Sequence, residues 1–306
     1  MATKKSTNCC NFPKPIDNDF LVGHDDILNE FMRAWNTRDE YPIHPVWMLV
    51  GPRGIGKATL AYKIARHVYG NVGDFFVLNL ENNIDKNNNP KPDGKSISIY
   101  TVRALIERMH MSSMSGNWRV ILIDSVDDLN TDSSNALLKL LEEPPEKTLF
   151  LLIVHQLANV LPTIRSRARV EKMRPLTMAQ LRTLCDRFIP DANISDEMLR
   201  LANGSFGQIA NLKSMGGDVI YDELMECLNN PRASSADVMA IAKKLAPMPE
   251  LYNILLDAIA SLGMAELYPT TVRAIADITR VNLEPETGLF KIIMDIKKCL
   301  QTHTVI

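Results

Sequence analysis

The stretch VWMLVGPRGIGKATLA, residues 46–61, decides the fold. Its first five residues, Val46–Val50, form a short apolar run that stops at a glycine, as a buried strand of a parallel sheet does. Residues 57–69 follow with helix-forming side chains, and residues 51–57 between them match G-x-x-x-x-G-K. In such a loop, glycines let backbone N–H groups approach phosphate oxygens, and the lysine reaches the β- and γ-phosphates. The strand–loop–helix order therefore predicts a phosphate-binding loop on an α/β sheet.

Strands and helices continue to alternate along the first half of the chain. Apolar runs predict strands at residues 74–80, 120–123 and 149–154, and helical periodicity predicts helices at residues 25–35, 101–111 and 135–143. Strands that alternate with helices form right-handed crossovers and hence a parallel sheet. From about Met178 the strand pattern disappears, and helical spacing continues to Ile306. The sequence predicts an α/β domain followed by wholly helical parts, with a linker at residues 215–217.

Composition excludes two classes of protein. The 306 residues carry 34 Lys and Arg against 36 Asp and Glu, a net charge of −2, which excludes nucleic-acid binding through bulk positive charge. No run approaches the roughly 18 to 20 apolar residues of a membrane helix, and residues 1–13 lack the apolar segment of a signal peptide. With 46% hydrophobic and 23% charged residues, the chain is expected to be a soluble, globular, cytoplasmic protein.

Two local patterns are expected to carry no chemistry. The five cysteines show no metal-binding spacing, so we expect free thiols in a reducing cytoplasm and no metal site; they are Cys9, Cys10, Cys185, Cys227 and Cys299. Residues 81–94 are rich in Asn, Pro and Asp, which is typical of an exposed, solvated loop.

The phosphate loop lacks a hydroxyl that usually helps to hold Mg²⁺. The residue after the lysine is normally Ser or Thr, but here Lys57 is followed by Ala58. Thr59 comes next, and one helical step turns its side chain about 100° away from the direction of Ala58. We therefore expect a weakened Mg²⁺ site.

The second strand of the motif also lacks a part of the hydrolytic machinery. Asp124 ends the apolar run at 120–123 and has the position of a Walker B carboxylate, which helps to hold the metal ion. Hydrolysing enzymes of this type carry an acidic residue next, to polarise water, whereas this chain has Ser125. Asp127 and Asp128 follow, and we expect them to cap a helix or to be solvated.

Three segments together resemble the AAA+ clamp-loader family. They are GPRGIGKATLA at residues 51–61, NALLKLLEEPP at residues 135–145 and TIRSR at residues 163–167, within a likeness that runs from about Val22 to Leu212. The resemblance implies an α/β P-loop AAA+ module with a parallel sheet over residues 1–174. It also implies a small helical lid domain over residues 175–216 and an all-α oligomerisation collar over residues 217–306.

The resemblance assigns roles to single residues. Arg167 matches the arginine finger that a clamp-loader subunit projects into a neighbour's ATP site, a task suited to a permanently charged, bidentate guanidinium. Gly207 stands where nucleotide-using members carry the sensor-2 arginine, and His155, near the sensor-1 position, is expected to be a strand-end histidine without a role. Ala58, Ser125 and Gly207 each remove part of the hydrolytic apparatus, whereas Arg167, which serves a neighbour, remains.

The same resemblance implies a ligand and partners. A nucleotide site would be formed by Gly51, Gly54, Gly56, Lys57, Ala58, Thr59 and Asp124. We expect ATP or ADP to bind weakly or not at all, and no zinc, because the four-cysteine module of many such subunits is missing. The family implies a non-hydrolysing, stator-like subunit of the hetero-oligomeric DNA polymerase III clamp loader. Its partners would be the tau/gamma and delta subunits and, through them, the sliding clamp and primed DNA.

Two other functions stay open. An autonomous AAA+ ATPase, such as a motor or remodelling enzyme, is supported by Lys57 and Asp124 and opposed by Ala58 and Ser125. Mg²⁺-dependent hydrolysis by the isolated chain would identify it. A sequence-specific DNA-binding protein would use the helical C-terminal region, where basic and acidic residues are mixed as on a solvated helix face. Salt-dependent DNA binding by residues 217–306 would support that function.

Overall fold

The computed structural model describes residues 13–70, 74–92, 94–110, 117–190, 194–281 and 284–303. These residues form two compact units, one from residues 13–190 with 203–207, the other from residues 194–202 with 208–303. Cys9 and Cys10 lie outside the described ranges, and the thiols of Cys185, Cys227 and Cys299 are free. Within these ranges, no helix is both long enough and apolar enough to cross a membrane. The division into three domains at residues 174 and 216 stays a prediction.

The first unit is built on a parallel sheet. Its strands, in the spatial order β2-β3-β4-β1-β5, are β1 Val46–Val50, β2 Asp74–Asn79, β3 Arg119–Asp124, β4 Thr148–Val154 and β5 Arg169–Lys172. The first four were predicted. Strand β5 was not, because three of its four residues are charged. It is an edge strand, and Arg169 is held there over the Trp47 ring, 4.4 Å from its centre, and by Glu171 at 2.7 Å.

Helices cover both faces of this sheet and make up the second unit. The first unit contains α1 Asp25–Asn36, α2 Lys57–Tyr69, α3 Ile99–His110, α4 Thr131–Glu142, α5 Pro162–Arg165 and α6 Met178–Phe188. Helix α8 (Phe206–Ser214) begins in the first unit and continues in the second. The second unit also contains α7 Asp196–Leu201, α9 Gly217–Asn229, α10 Ser235–Leu245, α11 Asn253–Ser261, α12 Tyr268–Val281 and α13 Pro285–His303. The described residues from 174 onward thus form helices and connections, as the sequence predicted.

Two hydrophobic layers fix the sheet between its helices. Successive residues of a strand point to opposite faces; Val46 and Met48 therefore pack with α3 and α4, and Trp47 and Leu49 pack with α1 and α2. All seven residues of β4 are buried. This two-sided burial explains why the strands read as continuous apolar runs rather than as alternating patterns.

Residues at the ends of helices and strands explain which predicted boundaries were right and which were not. Strand β1 and helix α2 have the predicted bounds, because a glycine stands at each end of the connecting loop. Helix α4 begins four residues before the predicted start, since the Asn130 side chain caps it by accepting a hydrogen bond from Ser133 N at 2.8 Å. Capping of this kind satisfies an N–H group that has no partner within the helix.

The Asn-rich loop at residues 81–94 is partly buried near its start, at Asn83, although the sequence predicted an exposed loop. Asn83 is only 1% exposed, and its amide donates to Ser96 O at 3.0 Å. The Asn83 Oδ1 atom accepts from Ser98 N at 2.9 Å and from the Thr101 hydroxyl at 2.8 Å. The expectation of a wholly solvated loop was therefore wrong for the base, whereas residues 86–91 are exposed as expected.

Candidate functional site

The phosphate loop connects β1 to α2 at the carboxyl end of the sheet. Gly54 and Gly56 have φ angles of +76° and +101°, which side chains with a Cβ rarely adopt. A Cβ on Gly51 would lie 2.6 Å from the carbonyl oxygen of Met173, the residue that follows β5. Glycine at these three positions lets the chain turn sharply beside the edge strand and enter the helix.

Lys57 turns back into this loop. Lys57 is only 3% exposed. Its ammonium group donates hydrogen bonds to the carbonyl oxygens of Gly51 at 2.6 Å and Pro52 at 2.5 Å. Burial lowers the pKa of Lys57 to about 8, although the nearby carboxylates of Asp124 and Asp127 oppose the shift. The loop thus holds a buried ammonium group at the N-terminus of α2, where anions are favoured.

The donor set fits phosphate better than it fits a metal ion. Backbone N–H groups at the start of α2 and the Lys57 ammonium are suited to phosphate oxygens. Ala58 offers no ligand to Mg²⁺, and Asp124 is the carboxylate left for that role; burial raises its pKa, and the Lys57 charge opposes this. Within the described ranges, no three His, Cys, Asp or Glu side chains group as a metal site, and the absence of zinc stays a prediction.

The acidic residues after β3 are engaged in structural contacts. Ser125 is buried and its hydroxyl donates to Asp128 Oδ2 at 2.9 Å, while Asp128 Oδ1 lies 3.9 Å from the guanidinium of Arg53. Asp127 accepts hydrogen bonds from two successive backbone N–H groups, those of His155 at 2.6 Å and Gln156 at 2.8 Å. The expectation of a helix cap or a solvated side chain was wrong for Asp127, because Asp127 connects the end of β3 to the end of β4.

His155 lies at the end of β4, beside the phosphate loop. Its ring Nδ1 is buried and has no hydrogen-bond partner among the described residues. Burial, with the positive charges of Lys57 and Arg53, lowers the pKa of His155 to about 4, against the opposing effect of Asp127 and Asp128. The imidazole is therefore neutral at pH 7 and belongs to the same cluster of polar groups as Lys57.

Acidification should destabilise the first unit through His155. The pKa of this histidine is about 6.5 in an unfolded chain and about 4 in the folded one, so the unfolded state binds more protons between these values. Stability is then lost as the pH falls from 7 to 5, by about 1–2 kcal/mol. Urea unfolding of the wild-type chain and of His155→Gln at both pH values measures this loss.

In that comparison His155→Gln should reduce the loss, and the part that remains is expected from His24, whose pKa burial also lowers. His67→Gln, a change at an exposed histidine on α2, should leave the loss in place. Equal pH dependence of all three proteins would contradict the assignment to His155.

Arg167 lies two residues after α5, on the surface of the first unit. Its Nη1 donates to Thr163 O at 2.7 Å and to the Ser166 hydroxyl at 3.4 Å, and its Nη2 forms an ion pair with Glu142 at the end of α4. The side chains of Arg167 and Glu142 are 30% and 46% exposed. The structure thus separates this arginine from the phosphate-loop cluster of Lys57, Asp124 and His155, to which no contact joins it among the described residues.

Comparison with known proteins identifies the family. A family model described as "DNA polymerase III, delta subunit" matches residues 24–177, half of the chain. The chain belongs to this family. A DNA polymerase III subunit delta' of Pseudomonas aeruginosa is 33% identical over 184 residues, which are 52% of this chain and 52% of that protein. The subunit delta' of Yersinia pestis is 40% identical over 98 residues, 32% of this chain and 26% of that protein.

The chain therefore spans about half the length of the curated relatives it matches, or less. Among solved structures, a DNA polymerase III gamma subunit-related protein of Thermotoga maritima superposes with a TM-score of 0.50 at 14% identity, over 90% of this chain and 98% of that one. Together with the parallel sheet and the helical C-terminal region, this likeness confirms the predicted fold class, an α/β AAA+ module followed by helices. The resemblance to the clamp-loader family is confirmed as well.

The structure brings the predicted phosphate-loop residues together, their role as a nucleotide site stays a prediction, and two contacts of the site were missed by sequence reasoning. The loop glycines, Lys57 and Asp124 do meet at one end of the sheet, as the motif predicted. Asp127 and Glu142 were missed as contacts of His155 and Arg167, because the partners lie 28 and 25 residues apart in the chain. For Glu142 the signal in the sequence was its place in the segment NALLKLLEEPP, where it ends α4, the helix before β4.

Proposed function

We propose that this chain is a clamp-loader subunit of DNA polymerase III that does not hydrolyse ATP itself and supplies Arg167 to the ATP site of a neighbouring subunit. Its partners would be the ATP-hydrolysing tau/gamma subunits and the delta subunit. The assembly would load the sliding clamp onto primed DNA during replication. Membership of the DNA polymerase III delta-subunit family supports this proposal.

The contacts after β3 support the absence of hydrolysis by this chain. A general base must be able to reach the water that it activates. Both carboxylate oxygens of Asp127 accept backbone hydrogen bonds, and Asp128 accepts from the Ser125 hydroxyl. The residue after Asp124, where hydrolysing enzymes carry an acidic side chain, is Ser125, which is buried and a poor base. This chain therefore has no acidic side chain at the position that would polarise the water molecule. Ala58 weakens the metal site in addition.

The single observation that carries the proposal is the setting of Arg167. Its guanidinium lies outside its own chain's phosphate-loop cluster, and among the residues that the structure describes it is paired with a partly exposed carboxylate and with local oxygen atoms. An ion pair this exposed contributes about 0–1 kcal/mol. Breaking the ion pair with Glu142 therefore costs little free energy. A charge-assisted, bidentate contact of Arg167 with a phosphate of a neighbouring nucleotide would be stronger than that ion pair.

Reconstitution tests this function. The chain is mixed with the gamma-type and delta subunits of the same organism, and loading of the clamp onto primed DNA is measured with ATP. We expect loading to require this chain. The Lys57→Ala chain, shown to be folded by urea unfolding because Lys57 also bonds two loop carbonyl oxygens, should leave loading within about twofold, since a lysine that binds no transferred phosphate contributes nothing to the chemical step. The control is the equivalent lysine substitution in the gamma-type subunit, which should abolish loading.

Two results would contradict the proposal. Loading that is unchanged when this chain is omitted would exclude the subunit role. Robust Mg²⁺-dependent hydrolysis by the isolated chain, abolished by Lys57→Ala, would instead identify the autonomous ATPase that Lys57 and Asp124 support.

A further inference from the structure

The tip of the phosphate loop is packed against the turn formed by residues 203–207, here called the glycine turn. Gly207 N donates to the carbonyl oxygen of Gly54 at 3.1 Å. A Cβ on Gly54 would lie 2.3 Å from the Ser205 hydroxyl oxygen, and a Cβ on Gly207 would lie 2.9 Å from Gly54 Cα. Distances under about 3 Å are closer than carbon atoms approach without strain. The two backbones meet because neither residue has a side chain.

The opposite side of the glycine turn is fixed in the same way. Gly204 has a φ of +76°, and its carbonyl oxygen accepts a hydrogen bond from Leu176 N at 2.9 Å. A Cβ on Gly204 would lie 2.4 Å from the Pro175 side chain and 2.8 Å from Leu176 N. Main-chain contacts thus hold the turn between residues 175–176 and the phosphate loop.

The carbonyl oxygens of the phosphate loop accept hydrogen bonds from other groups of the protein. The oxygens of Gly51 and Pro52 accept from the Lys57 ammonium, and the oxygen of Gly54 accepts from the glycine turn. The oxygen of Ile55 is bonded to the His24 ring Nε2 at 3.0 Å. Four carbonyl groups of one loop therefore have protein partners, while Gly54 stays exposed on its other side. These bonds hold the carbonyl oxygens of the loop, whereas a phosphate would accept from its backbone N–H groups.

We propose that the glycine turn closes on the phosphate loop without nucleotide, and that Gly207 is the residue that permits this closure. Here a direct backbone hydrogen bond connects the turn to the loop. The phosphate loop and the glycine turn then stay in contact whether or not a nucleotide is bound. This inference does not depend on the role of Arg167.

Amide hydrogen exchange on the full chain tests the proposal. In wild type without nucleotide, the Gly207 amide should exchange at least tenfold more slowly than an unstructured amide, and millimolar Mg²⁺-ATP should leave this rate within about twofold. In Gly207→Ala, the amides of residues 54–56 and 207 should exchange about tenfold faster. The melting temperature should fall by about 3–8 °C, although alanine favours helix α8 more than glycine does.

The control variant is Ser214→Ala at the exposed end of the same helix, where Ser214 donates only to Asn211 O, and its exchange near Gly54 should match wild type. Protection of the Gly207 amide that develops only with ATP would overturn the proposal. So would a Gly207→Ala protein that melts at or above the wild-type temperature with unchanged exchange. Should that variant fail to fold, the wild-type comparison with and without ATP decides the question alone.

Discussion

Under the proposed function, replacing Arg167 by alanine is expected to lower ATP turnover about 10³-fold at the neighbouring subunit's ATP site to which this arginine would be supplied. A finger supplied from a neighbour stabilises the charge that develops on the transferred phosphate, and alanine provides no substitute for it. The measurement is clamp- and DNA-stimulated hydrolysis by a reconstituted complex in which only that neighbouring site is competent, so that other sites do not mask the loss.

Matched variants separate this effect from general damage to the surface. Arg165→Ala removes an exposed arginine two residues away and should leave turnover unchanged. Arg167→Lys keeps the charge but not the bidentate geometry and should give an intermediate rate. The Arg167–Glu142 pair is partly exposed, so Arg167→Ala should change the unfolding free energy of the chain by less than about 1 kcal/mol. Unchanged turnover in Arg167→Ala would remove the arginine-finger assignment.

Replacing Asp127 by alanine is expected to destabilise the first unit by about 2 kcal/mol. The carboxylate accepts from two backbone N–H groups, at 2.6 Å and 2.8 Å, and alanine leaves both donors without a partner. Hydrogen bonds to a charged acceptor are worth more than neutral ones, and the His155 N–H is part-buried, whereas the Gln156 N–H is exposed and can bond to water. Urea unfolding followed by a probe of the sheet measures the change.

Asp39→Ala is the control for Asp127→Ala, since Asp39 is exposed and its loss should change the unfolding free energy by under about 0.5 kcal/mol. The Asp127 variant should also expose the amides of residues 155 and 156 to faster hydrogen exchange. An Asp127→Ala chain as stable as the control would show that the tie between β3 and β4 contributes little.

Local patterns allowed more of the fold to be predicted than of the site. Strand β1, the glycine loop and helix α2 were predicted residue by residue, because a buried strand, a positive-φ loop and a helix start each leave a signal within a few residues. Strand β5 left none: it is four residues long, mostly charged, and stabilised by contacts with Trp47 and β1 that exist only after folding.

In the candidate site, too, the features that depend on contacts between distant segments could not be predicted from the sequence. The chemistry of Lys57 and Asp124 follows from residue type and position in a motif, and both residues are found where that motif predicts. The role of Asp127 depends on where β4 ends, which is set by the register between β3 and β4 rather than by the sequence around Asp127. Likewise, the setting of His155 depends on charges from two other segments, so that sequence alone left it without a role.

The contact between Gly54 and Gly207 also constrains how this protein can evolve. Once two backbones are in van der Waals contact at a position, any single substitution that adds a Cβ there must displace a main chain. A side chain at residue 207 therefore needs a compensating shift of the loop or of the turn. Residues 54 and 207 are thus energetically coupled positions: the effects of substituting both on the free energy of unfolding should not be the sum of the two single effects.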